Sequence, residues 1–365
     1  MKFFFLHLKK LDWILIVSAL LLVAIGLVSI YSSSLGRGDF LNLKKQIIFL
    51  GIGFFLMLGL SFFDWRNFHY NPYFVLILYF ICLLSLILLF FFAPEIRGTK
   101  SWYQIGPISL DPIEFTKIVL IVLLAKYFSM RHIEMYRIKH VLLSGFYILL
   151  PVILVFFQPN LGSVLILIAL WVGILILSGI KLRHFLILIF LFILVFIFSW
   201  GTLLKDYQKE RILSFIQPQT SDLLKAGWSQ HQAQIAIGSG RFWGQGITKG
   251  SQTQYGFLPE PQTDFIFAAI GEEMGLMGVV ILLFLFSTLI WRILKIAFLA
   301  KSNFPRLFAG GFTIILISQI FIHIGMNIGI LPIIGIPLPL VSYGGSSLTS
   351  ILIAIGILEN IKANQ

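Results

Sequence analysis

The sequence predicts an all-α polytopic membrane protein of ten transmembrane helices, with a large extracytoplasmic loop between the seventh and eighth. Composition points there first: of 365 residues, 58% are hydrophobic and only 12% charged. A soluble domain of this size carries about twice that charged share. Apolar runs of roughly 20 residues, the length that crosses a bilayer core as a helix, recur along the chain. Lys and Arg are also divided unevenly between alternate connections, as in proteins with a fixed membrane orientation. Residues 1–365 read as one integral membrane domain.

The first span, 11–31, follows Lys9 and Lys10. No small-residue cleavage site comes after it, so it reads as a retained span and not a signal peptide. The second and third are 46–63 and 72–92. Cys82, in the third, is the only cysteine, so neither a disulfide framework nor a thiolate metal site is expected. Pro112 suits the first turn of the fourth span, 113–129. The tight turn FQPNLGS, 157–163, divides the fifth (141–157) from the sixth (161–179). The seventh, 185–203, leads into the long connection 204–264. A loop of that length is usually functional. It carries Lys205, Lys209, Arg211, Lys225, Arg241 and Lys249 beside Trp228, Phe242, Trp243 and Tyr255. Within it, SQHQAQIAIGSG has a semi-apolar helical pattern closing on Gly, consistent with a short helix on the membrane face. The last three spans are 265–290, 307–327 and 346–361.

With the N-terminus inside, the inner segments hold fifteen Lys and Arg. The short outer loops hold five: Arg37, Lys44, Lys45, Arg97 and Lys100. That asymmetry places both termini in the cytoplasm. The formal charge of +12 is spread over these loops, with no basic arm and no aromatic-interleaved basic patch. Nucleic acid is therefore not an expected partner.

Three stretches can carry chemistry. The first is GFLPEPQTDFIFAAIGEEMGLMG, 256–278. A carboxylate in hydrocarbon costs several kcal/mol unless it is paired, protonated or in a wet cavity. Pro259 and Pro261 forbid helix through 256–262, and Thr263 can cap a helix starting near Asp264. Asp264 would then lie in a first turn, where the helix dipole favours its anion. At the lip of an outer cavity beside a basic loop, it is placed as a base for a hydroxyl proton. The alternative is a plain capping residue. Glu260 stands in the same loop. Glu272 and Glu273 lie two turns further on. Adjacent helical residues diverge, so the two cannot share one partner, and a structural role in the bundle is expected.

The second stretch is DPIEFTKI, 111–118. Glu114 and Lys117 share a helix face at i,i+3 and can neutralise each other on entering the membrane. They are either a structural pair, or a lysine offered to a phosphate and positioned by Glu114. Lys100 and Arg211 are further positive candidates. The third is GIPLPLVSYGGSS, 335–347, an outer re-entrant loop in which Pro337, Pro339, Gly344 and Gly345 rule out regular helix. Irregular backbone at membrane depth is tolerated where it lines a cavity or is buried in protein. Its N–H groups, with Ser342, Ser346 and Ser347, could hold an anion at the start of the last helix. A plain turn with serine caps is the alternative. No metal-ligand spacing stands out, and there is no phosphate-loop, GxSxG or HExxH motif. These residues fit a transferase acting on a lipid-linked pyrophosphate, and a lipid transporter equally well.

IAIGSGRFWGQG, then GSQTQYGFLPEPQTDFIFAAIGEEMGLMG, then GILPIIGIPLPLVSYGGSS form a highly specific combination. It resembles the SEDS family, the bacterial shape, elongation, division and sporulation proteins represented by RodA, FtsW and SpoVE. The resemblance runs from the first span to the last. LKDYQKERILSFIQP, 204–218, is more similar to the RodA branch. It implies a peptidoglycan glycosyltransferase that polymerises lipid II on the outer face of the bacterial cytoplasmic membrane, for elongation and rod shape. It implies Asp264 as base in an inverting displacement, with Glu114 and Lys117 at the head of the fourth span. It implies a class B penicillin-binding protein and the elongation machinery as partners. It allows a Mg²⁺ or Mn²⁺ ion and no organic cofactor. A lipid II flippase and a non-catalytic scaffold for the penicillin-binding protein are the rival readings. The chain departs from the family pattern in several places. It has Asp111-Pro112-Ile113-Glu114 for QPSE, Ser101 for Arg, Asn160 for an acid and His323 for Asn. Gln245 stands in the region where the family carries a further Lys.

Overall fold

The computed structural model describes residues 7–64, 66, 71–95, 99–106, 108–130, 138–202, 209 and 226–364. A helix coincides with each expected span: α1 Trp13–Arg37, α2 Leu41–Phe62, α3 Pro72–Phe92, α4 Pro112–Ser129, α5 Ile138–Phe157, α6 Leu161–Leu177 and α7 Leu182–Thr202. After α8 (Ala226–Ser239) and the single turn α9 (Ser251–Gln254) come α10 Ile266–Leu299, α11 Asn303–Ile328 and α12 Gly345–Ala363. Among the described residues, eight of these helices are long and apolar enough to cross a membrane. Of the other two, α6 is apolar but has 17 residues, and α4 carries Glu114, Lys117 and Lys126 within 18.

Local chemistry sets the ends. Asp12, Asn71, Asp111 and Asn160 each accept from a backbone N–H of the helix that follows, covering donors a first turn leaves unpaired. Gly38 and Gly329 close α1 and α11 in the left-handed conformation. A short antiparallel hairpin, β1 (Tyr103–Ile105) and β2 (Ile108–Leu110), pairs Tyr103 with Leu110 and leads into α4. Tyr103 donates to Ser85 O at 2.5 Å, pinning the hairpin to α3.

The molecule is apolar outside, and its buried polar groups are gathered within an interior that is itself largely apolar. Phe55, Phe91 and Phe298 are 76–77% exposed, whereas Ser32, Glu272, His323 and Asn327 are fully buried. That arrangement suits hydrocarbon: apolar side chains face lipid, and costly polar groups find partners inside the bundle. Helices α4, α11 and α12 form the interior. Almost every described side chain of α7 is exposed or half-buried.

The eighth expected span is longer than its sequence pattern, because α10 runs on to Leu299 after a break at Gly275 (φ 64, ψ −165). The break exposes a ladder rung, and residues 241–246 fill it. Gln245 and Gly246 donate to Glu272 O and Glu273 O at 2.9 and 3.0 Å. Leu276 and Met277 donate to Arg241 O and Phe242 O at 2.9 and 3.1 Å. These four bonds give backbone groups beside the break partners within the protein, as irregular backbone in a membrane requires. A Cβ on Gly275 would meet Gly244 N and Phe242 O, so glycine is required there for space as well as for its positive φ.

At the opposite end of the bundle from Ser34, Gln46 and Gly345, charges are clamped together. Arg292 donates through Nε to both Asp12 oxygens at 3.0 and 2.9 Å. Glu359 Oε2 accepts from Asp12 N at 2.6 Å, and Lys362 Nζ stands 3.8 Å from Asp12 Oδ2. This joins the ends of α1, α10 and α12.

Candidate functional site

Asp264 does not sit in a first helical turn. Helix α10 starts at Ile266, with Phe265 as N-cap and no side-chain cap bond. Thr263 is engaged elsewhere: its carbonyl accepts from Ser342 Oγ at 2.8 Å. The turn is instead built on Glu260, at φ 44, whose carbonyl receives Thr263 N and Phe265 N, both at 3.2 Å. Pro259 and Pro261 flank that turn and hold it off a helix. Asp264, half-buried, therefore stands just outside the N-terminus of α10.

The segment 329–344 folds back against this turn. Tyr343 N donates to Gln262 O at 2.8 Å, and Leu338 N donates to Ser342 Oγ at 2.9 Å. Gly335 (φ 78) faces the acid: a Cβ there would lie 3.7 Å from Asp264 Oδ2. From α2, Gln46 donates to Ser342 O at 3.2 Å and accepts from Gly344 N at 3.1 Å. Gln262 donates to Ser34 Oγ at 3.2 Å and accepts from Asn42 at 2.8 Å. The hydroxyl of Ser342 is thus used on both sides, by Leu338 N and Thr263 O, which gives it a scaffolding part.

The head of α4 joins through α12. Asp111 at N-cap and Glu114 at N3 have the spacing of a capping box, in which the acid reaches back to the cap N–H. Here Ser346 Oγ takes Asp111 N at 2.9 Å, and Glu114 instead pairs with Lys117 Nζ at 2.7 Å. Both side chains of the pair are buried. Removing one partner of such a pair costs about 3–5 kcal/mol, because the other charge stays buried alone. Burial pushes the Asp111 carboxyl up to about 8, with the Glu114 carboxylate adding and Lys117 opposing. Ser347 is buried one residue further along α12, and Gly344 and Gly345 form the N-terminus of that helix.

Glu272 and Glu273 each find their own partners, as adjacent residues on a helix should. Glu272 accepts from Gln252 N, Thr253 N and Thr253 Oγ1 at 2.6, 3.0 and 2.7 Å. Glu273 accepts from Ser32 Oγ and Gln254 Nε2 at 2.5 and 3.1 Å. The segment 245–254 wraps far enough around α10 to meet both. Asn160 caps α6 through Ser163 N at 3.2 Å. His323 holds the carbonyl of Ile336 at 2.7 Å. Lys100 is half-buried just before the β hairpin. Arg211 lies outside the described residues, as does most of 204–225. Among the described residues, no group of three or more His, Cys, Asp or Glu is placed to hold a metal ion.

Sequence reasoning passed over Gln46, Gln262, Ser34 and Asn327, which hold this end together. A signal was available at Gln46 and Asn327, since an amide inside an apolar run must find partners within the protein.

Fold and site together define a polytopic helical membrane protein with a carboxylate and a buried ion pair at one end of its bundle. The comparisons narrow that class. A family model described as cell cycle protein, for FtsW, RodA and SpoVE, matches residues 12–365. The peptidoglycan glycosyltransferase MrdB of Escherichia coli is 38% identical over 79% of this chain and 77% of its own length. Stage V sporulation protein E of Bacillus subtilis is 33% identical over 96% of each chain. A chain in a solved peptidoglycan synthase complex, studied for its coordination of polymerization and crosslinking, superposes with a TM-score of 0.83. It is 31% identical over 97% of this chain and 98% of that one. The rod shape determining protein RodA of Thermus thermophilus superposes with a TM-score of 0.71, at 28% identity over 96% of each chain. The chain belongs to the FtsW, RodA and SpoVE family of cell cycle proteins.

Proposed function

We propose that this protein is a peptidoglycan glycosyltransferase that polymerises lipid II into glycan strands for elongation and rod shape. Ten spans carry it, with α4 and α6 as the fourth and sixth. It sits in the bacterial cytoplasmic membrane with both termini inside and Asp264 facing out. A class B penicillin-binding protein and the elongation machinery are its partners.

One observation supports the reading above the others. Three segments far apart in sequence, 256–264, 335–347 and 111–117, are joined at one end of the bundle by Ser342–Thr263 and Ser346–Asp111. They bring a carboxylate, Gly-rich backbone and a buried Lys–Glu pair to the same region. In the proposed reaction Asp264 takes the proton of the acceptor sugar's 4-hydroxyl as that oxygen bonds the donor's anomeric carbon. The bond from that carbon to the lipid pyrophosphate breaks, and its electron pair leaves with the phosphate. An α-linked donor becomes a β-linked product in one displacement, without a covalent enzyme intermediate. Lys117, held by Glu114, supplies positive charge toward the leaving group, with Lys100 and Arg211 as further cations. A Mg²⁺ or Mn²⁺ ion would come with the substrate phosphates and need few protein ligands.

The test uses the purified protein with its penicillin-binding partner and labelled lipid II. A ladder of glycan strands on a gel is the expected product. Movement of lipid II across liposome membranes without any strands would replace this reading with a transporter.

A further inference from the structure

Helix α10 begins without a cap of its own. Phe265 at N-cap has no side-chain acceptor, and Asp264 precedes it. A helix start leaves its first N–H groups unpaired, and buried ones need a partner. The partner comes from another helix. Asn327, near the end of α11 and fully buried, accepts from Ala268 N through Oδ1 at 3.2 Å. Its Nδ2 donates to the carbonyl of Asp264 at 3.0 Å and to His323 O at 2.8 Å. One side chain thus grips the first turn of α10 and the backbone of the acid itself.

The grip is anchored in turn. The end of α11 is held by α8, where Gln230 donates to Met326 O and Leu331 O at 3.1 and 2.9 Å. Gln234 donates to Ile328 O at 3.2 Å. One turn before Asn327, His323 holds Ile336 O, next to Gly335, which faces the Asp264 carboxylate. The same face of α11 therefore fixes the acid's backbone on one side and the wall opposite its carboxylate on the other.

We propose that Asn327 is a positioning residue for Asp264, supplying from α11 the cap that α10 lacks and fixing where the carboxylate stands. This rests on the reading of Asp264 as the base. Asn327 touches no reacting atom; it acts through the acid. Displacing a catalytic group by about 1 Å can cost a hundredfold in rate without loosening substrate.

The experiment measures kcat, KM and the pH–rate profile of lipid II polymerisation by the protein–partner complex. The variants are Asn327→Ala, Asn327→Asp, Asp264→Asn and Asp264→Asn with Asn327→Ala, each normalised to folded protein by its thermal midpoint. Asn327→Asp keeps the shape and an acceptor for Ala268 N but loses the donor to Asp264 O, which guards against a simple folding defect. The expected result is a fall in kcat of about ten- to hundredfold in both Asn327 variants, KM within about twofold, and a displaced acid limb of the pH profile. Adding Asn327→Ala to Asp264→Asn should lower the residual rate no further. Wild-type kcat per folded molecule in either Asn327 variant, with Asp264→Asn inactive, overturns the positioning role and leaves the base in place. A wild-type rate from Asp264→Asn overturns the base, and this proposal falls with it.

Discussion

At the residue scale, the chemistry turns on where single polar groups find partners. Ser346 is the clearest case. By taking Asp111 N–H, it leaves Glu114 free to hold Lys117 instead of capping its own helix. Asp111 itself carries a testable consequence. Its carboxyl lies at about 8, raised first by burial and then by the Glu114 carboxylate. In an unfolded chain an aspartate titrates near 3.9, so between about pH 4 and pH 8 the folded protein keeps a proton the unfolded chain has lost. Stability should therefore decline as pH rises through that window. Asp111→Asn should flatten the decline, read as the thermal midpoint in detergent at pH 5 and pH 9. A wild-type midpoint that rises toward pH 9, or an unchanged slope in Asp111→Asn, contradicts the raised value. The residue types of this site were legible in the sequence: Asp264, Glu114 and Lys117 stood out because charge is expensive beside apolar runs. Their partners were not, because a serine or glutamine hydroxyl or amide reads as ordinary until the fold brings a distant N–H to it.

At the element scale, helix existence was legible and helix ends were not. The apolar runs marked each long helix, yet α10 extends nine residues beyond its expected end at 290, to Leu299. Its start lies at Ile266 because the turn on Glu260 and the cap from Asn327 are tertiary, and no local pattern announces them. The break at Gly275 was also hidden, since a lone glycine in an apolar helix is common. Gly275→Ala tests that break. A side chain at φ 64 is strained by about 1–3 kcal/mol, and its Cβ also meets the backbone of 242–244. The thermal midpoint should fall by several degrees and the segment 241–250 should become more sensitive to protease. An unaltered midpoint would mean that α10 can run straight and that residues 241–246 do not depend on its break.

For the whole molecule, the two ends of the bundle divide the work. One end holds Asp264, the 329–344 segment and the head of α4. The other is closed by Asp12, Arg292, Glu359 and Lys362. Fold class and the order of the long helices followed from composition and apolar length, because the membrane imposes both. Activity did not follow from physics alone: the same residues suit a transporter until the family is known. The chemistry assigned to one carboxylate is where that reading is most exposed. Asp264→Asn and Asp264→Ala, purified with the penicillin-binding partner, should bind labelled lipid II like wild type while polymerisation falls at least about a hundredfold. Full-length strands from either variant at the wild-type rate would contradict Asp264 as the base and turn attention to Glu114.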